Sequence, residues 1–165
     1  MEKKQGFILI EIVFYIAIMV ILVFVSFLVL DTIGQSESKN RIISEVEYQG
    51  LIYTNLISQK IRNSVAVDYL TNDSLVLRVA NPIENPIVFT FSEGNIYLKE
   101  GSQEKIKLNN SKVSIVPIFL KNNSVLSEYD SIRLTLKVFY NHGEGKLGSD
   151  YSKIFYVTAS TRQKK

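Results

Sequence analysis

From Phe7 to Leu30 the chain carries a single charged side chain, Glu11, inside an otherwise unbroken apolar run. At about 1.5 Å of rise per residue a helix over this run is roughly 36 Å long, enough to cross a hydrocarbon core of about 30 Å with some tilt. A carboxylate near the bilayer centre costs roughly 2.5–3.5 kcal/mol on insertion scales, and less near the edge, so it persists where something uses it. Lys3 and Lys4 lie just before the run. The positive-inside tendency therefore places the N-terminus in the cytoplasm and the chain after Leu30 outside.

Three ordinary signals share parts of this pattern. A cleavable secretory signal has an apolar core of about 7–15 residues followed by a small-residue cleavage site, whereas this run is longer and leads into Asp31-Thr32-Ile33-Gly34. A plain signal-anchor needs neither Gly6 nor a carboxylate one turn into the apolar stretch. A lipoprotein signal is excluded, since the chain has no cysteine. The order Lys3-Lys4-Gln5-Gly6 followed by Phe7-Ile8-Leu9-Ile10-Glu11 instead resembles the class III signal of type IV prepilins and pseudopilins. That resemblance implies cleavage after Gly6 by a dedicated membrane peptidase and methylation of the new amine on Phe7.

Past the run, about 135 residues remain, enough for one small domain with its stalk. With no cysteine, packing and backbone pairing must hold that domain together. From Ser36 to Asn63 the period is helical. Ile42, Ile43, Val46, Gly50, Tyr53, Leu56, Ile57 and Ile61 form one stripe, while Glu45, Glu47, Asn55, Ser58, Gln59 and Arg62 lie mostly off it. Tyr48, Leu51 and Ile52 are apolar but off the stripe, which assigns them to contacts with neighbouring subunits. Gly50 admits two readings, a close approach by another backbone or a tolerated helix glycine costing about 1 kcal/mol. Gly34 likewise allows either a continuous rod or a bend.

After Asn63 the period becomes two. Residues 75–79, 87–91, 96–99, 132–138 and 154–157 read as strands, with Ser92-Glu93-Gly94-Asn95 as the turn of a hairpin. Short strands and tight turns imply an antiparallel sheet whose apolar face is covered by the stripe on residues 42–61. The fold class is therefore α+β, with a transmembrane helix at 7–30, an amphipathic stalk helix at 31–63 and a β-sheet domain at 64–165, after a leader at 1–6 that the prepilin resemblance implies.

The same layout, a long N-terminal helix on an antiparallel sheet, is what the prepilin resemblance implies. Length, order of elements and the basic ending Thr161-Arg162-Gln163-Lys164-Lys165 look most like minor pilins and minor pseudopilins. Many major pilins carry a proline in the membrane helix and a C-terminal disulfide, and this chain has neither. The resemblance implies docking of Glu11 on the amine of Phe7 in a neighbouring subunit, a pair that fixes the register between apolar helices. Most of the attraction would come from packing of residues such as Ile8, Leu9, Ile12, Val13 and Tyr15. The implied partners are the peptidase, other pilins or pseudopilins, an inner-membrane assembly platform and the membrane itself. The destination is a pilus or pseudopilus for secretion or competence.

An enzymatic reading has little support. The single histidine, His142, lies in Asn141-His142-Gly143-Glu144-Gly145, which reads as a turn and offers too few metal ligands. No phosphate loop or nucleophile motif is recognisable, and no cofactor is expected. Asn72-Asp73-Ser74, Asn109-Asn110-Ser111 and Asn122-Asn123-Ser124 match the glycosylation acceptor pattern but read as loops. The rival function is a binding module at a filament tip, capturing DNA or contacting a surface. Tyr140, His142, Lys146, Tyr151 and Lys153 mix aromatic and basic character, which suits single-stranded nucleic acid, although a solvated loop explains them too.

Overall fold

The computed structural model describes the backbone of residues 3–122, 130–141 and 151–162, and the side chains of 10–119, 130–141 and 151–162. Helix α1 runs from Lys3 to Asn63 and remains helical through Gly34. The chain divides into two compact units, residues 1–41 and 42–165. The first holds α1 up to Arg41, its apolar run included. Its large apolar side chains from Ile10 to Leu30 are all exposed, so nothing within this unit covers them. Among the described residues α1 is the one helix long and apolar enough to cross a membrane.

The second unit packs the remaining part of α1 on antiparallel sheets, as the α+β reading requires. Strands β1 (Ala66–Leu70), β2 (Ser74–Arg78), β3 (Ile87–Ser92), β4 (Asn95–Glu100) and β5 (Ile106–Lys107) form one sheet in sequence order. Strands β6 (Val113–Asn122), β7 (Ser131–Tyr140) and β8 (Ser152–Ser160) form another. The sequence reading expected one sheet closed by residues 154–157, but β8 instead borders the second sheet beside β7. Nothing in the period-two pattern says where one sheet stops and another starts.

Each hairpin follows from local chemistry. In the β3–β4 turn Glu93 and Gly94 have φ of 53° and 73°. Positive φ at both central residues marks a two-residue turn whose twist matches the strands. Ser92 and Asn95 flank these two residues and pair with each other, so the hairpin turns over the four residues read for it. β6 carries no clear strand signal in the sequence, because Pro117 interrupts Val113–Phe119 and proline argues against a central strand. The strand is in fact an edge of its sheet, where a missing N–H is tolerated.

Both sheets contribute to one core. Phe91 of β3 meets Phe119 of β6 edge-on, with ring centroids 5.5 Å apart at 61°. The helix adds Val46, Tyr53, Ile57 and Ile61, all buried in the same cluster as Leu75, Leu77, Phe89, Leu134 and Leu136. Thr54 and Ser58 are buried as well, so the core face of α1 is wider than its apolar stripe. Gly50 makes room for the Phe155 ring: a Cβ there would lie 2.1 Å from Phe155 Cε2. The close approach is real, but by a side chain of β8 rather than by a backbone.

Polar contacts fix where the helix ends and how it sits. Lys60 bridges to Glu100 of β4 at 2.7 Å, and Lys153 of β8 reaches Glu47 at 2.5 Å. At the helix end, Ser64 Oγ donates to Ile61 O at 2.6 Å and Arg162 N–H donates to Ser64 O at 2.9 Å. Residues after β8 are thereby tied to the start of the β-domain.

Candidate functional site

Glu11 sits on the exposed surface of the apolar segment of α1, where the sequence pattern placed it. The Tyr15 hydroxyl, one turn further on, donates to Glu11 Oε1 at 3.3 Å. Glutamate and tyrosine four residues apart lie on one face of a helix, so their spacing dictates this contact. A neutral phenol at that distance supplies a weak hydrogen bond and no charge. Among the described residues no cation lies within ion-pair distance of Glu11. Other polar groups of the segment are satisfied within the helix. Ser26 Oγ donates to Leu22 O at 2.8 Å, and Thr32 Oγ1 donates to Leu28 O at 2.9 Å. Glu11 is therefore the one side chain of the apolar run whose charge calls for a partner from outside.

Gly6 and Phe7 belong to the first turns of α1, and the Phe7 side chain lies outside the described residues. Tyr48, Leu51 and Ile52 form an exposed apolar ridge on α1, turned away from the core face, as the periodicity requires. Of the residues that suggested a nucleic-acid loop, His142 and Lys146 lie outside the described residues. Lys153 is already engaged by the fold: its Nζ bridges to Glu47 and lies 5.8 Å from the Phe155 ring centroid. The hydrogen bond to Glu47 raises the Lys153 pKa. No group of metal-ligating side chains occurs among the described residues.

Two polar residues escaped the sequence reading. Asn109, taken for part of a loop, is buried, so its side chain cannot serve as a glycosylation acceptor. Tyr53, counted only as apolar, donates its hydroxyl to the Leu108 carbonyl at 2.9 Å and also contacts Gln49 Oε1. Burial, with smaller contributions from Glu45 and then Tyr48, pushes its pKa up to about 12. The signal for Tyr53 was available, since a buried tyrosine needs a partner for its hydroxyl. For Asn109 no local signal existed.

Fold and helix together define a class: an α+β protein with an N-terminal helix long and apolar enough to span a membrane once, with a single carboxylate, Glu11, inside its apolar run. No family model matches the chain, and no curated protein or solved structure matches it either.

Proposed function

We propose that this chain is a minor pilin or pseudopilin, a non-catalytic subunit cleaved after Gly6, methylated on Phe7 and docked into a filament through its N-terminal helix. The observation that carries the proposal is Glu11. It is the fifth residue after Gly6, it stands in an apolar helix, and its described neighbour is a phenol rather than a cation. The amine of Phe7 on an adjacent subunit would supply the missing positive charge and fix the axial register of helices that otherwise slide. The ridge of Tyr48, Leu51 and Ile52 supports the same reading, because it leaves an apolar surface for neighbouring helices. The basic leader puts the β-domain outside the cytoplasmic membrane.

The test is the intact mass of the protein from cells that hold the matching peptidase. The expected mass lacks residues 1–6 and gains one methyl group. A mature chain that begins at Met1, or one cut beyond Leu30, overturns the proposal. Glu11→Ala separates docking from processing: cleavage after Gly6 should persist while entry into the filament fails. If this variant is cleaved poorly yet still assembles, Glu11 is a peptidase recognition element and the docking account is wrong.

A further inference from the structure

Outside the apolar run and the ridge on α1, exposed large apolar side chains concentrate on the outward face of the β6–β7–β8 sheet. Alternation sends Ile115, Leu136 and Phe155 inward and leaves two cross-strand rows outward. In one, Val116 is opposite Lys137 and Lys137 is opposite Ile154; in the next, Ile118 is opposite Thr135 and Thr135 is opposite Tyr156. Val116, Ile118, Ile154 and Tyr156 are 43–63% exposed. Among the described residues the charges on this face are of one sign. Lys137 stands in the middle, its Nζ 4.7 Å from the Phe139 ring centroid, and Arg133 lies one row beyond Thr135. The paired outward positions from Ser114–Phe139–Ser152 to Arg133–Thr158 include no aspartate or glutamate.

We propose that this face docks a protein of different sequence, through an apolar strip of that partner that carries carboxylates. Charge decides against the simplest alternative. A two-fold pairing with a second copy sets the same patch against itself. Lys137 and Arg133 would then find no carboxylate in a partly desolvated contact, where a charge left without a counter-charge costs most. A carboxylate within an apolar strip satisfies both requirements of the face. Geometry decides against a lipid surface, because interfacial segments bury an apolar face about 5–10 Å deep. Here Val116, Ile118 and Ile154 are stiff, β-branched side chains half-covered by their neighbours on a pleated face with a lysine at its centre, suited to packing at about 10 Å against another sheet. The proposal does not depend on processing at Gly6, so either can fail alone.

The test places a benzophenone side chain at Ile118 or at Ile154 in the full-length chain, expressed in its native cells, and sequences the peptides cross-linked on irradiation. The expected adduct is with a different protein, on a segment containing aspartate or glutamate among apolar residues. Its yield should fall at least fivefold in Lys137→Glu and in Arg133→Glu. Benzophenone at Val88, on the other sheet, should give none of it. Arg133 is exposed, so its reversal leaves the core untouched and decides the matter if Lys137→Glu impairs folding. Four outcomes overturn the proposal: adducts to peptides of this same chain, adducts to lipid, no adduct, or a protein adduct indifferent to Arg133→Glu.

Discussion

Every polar atom of the Asn109 side chain is used. Its Oδ1 accepts from Ile96 N–H at 2.9 Å, and its Nδ2 donates to Val113 O at 2.8 Å, with Gly94 O at 3.4 Å. One amide thus joins β4 to the start of β6, where the two sheets meet. Gly50 works at the same scale by what it lacks. In Gly50→Ala the new methyl meets the buried Phe155 ring. Overpacking costs about 1–3 kcal/mol, against about 1 kcal/mol gained in helix propensity. The variant should be less stable in urea unfolding, and Phe155→Leu should restore part of the loss; a more stable Gly50→Ala would show that the ring swings away freely. Tyr53 makes a prediction about pH. Its folded pKa of about 12 lies above the ordinary tyrosine value near 10. The folded state then keeps a proton that the unfolded chain releases, so this contribution is whole below about pH 10 and is lost as pH rises towards 12. The free energy of unfolding, followed across that window, should decline less steeply in Tyr53→Phe than in the parent; equal slopes would refute the assignment.

As an element, α1 has three surfaces that do different things. The apolar segment faces outward all round, the core face buries Val46, Gly50, Tyr53, Thr54, Ile57, Ser58 and Ile61, and the ridge of Tyr48, Leu51 and Ile52 stays exposed. Stability should respect that division. Ile57→Ala empties a fully buried position and should cost about 2–5 kcal/mol. Leu51→Ala changes an exposed position and should stay within about 0.5 kcal/mol. Denaturant unfolding of the two variants checks this, and equal losses would mean that the ridge belongs to the core. Thr54 and Ser58 are buried beside the stripe, so the covered face is broader than its apolar residues alone reveal. Thr54 Oγ1 has no hydrogen-bond partner among the described residues.

At the scale of the whole molecule, the core lies within residues 42–165 and draws nothing from the apolar run. A fragment beginning at Gln35 should therefore be soluble and fold by itself. Circular dichroism with a cooperative thermal transition, and sedimentation as a monomer, are the expected results. Aggregation or a non-cooperative melt would mean that the core depends on residues before 35. The fragment would retain the contacts that close the domain, including Val67 N–H to Asp130 Oδ2 at 2.9 Å and Thr161 N–H to Asp130 O at 2.9 Å.

Local periodicity was enough to read the membrane-length helix, the amphipathic stripe, the β3–β4 hairpin and the strands around residues 75–79 and 132–138. Each depends on interactions within a few residues, or on a contrast between apolar and polar faces that repeats along one element. The number of sheets, the edge strand that carries Pro117 and the burial of Asn109 were not readable in this way. They arise from pairings between residues far apart in the chain: β6 is a strand because β7 pairs with it, and Asn109 is buried because Ile96 and Val113 converge on its amide. Glu11 belongs to the first kind. Its isolation in an apolar run is a property of sequence, and the tertiary structure adds that, among the described residues, no cation comes to meet it.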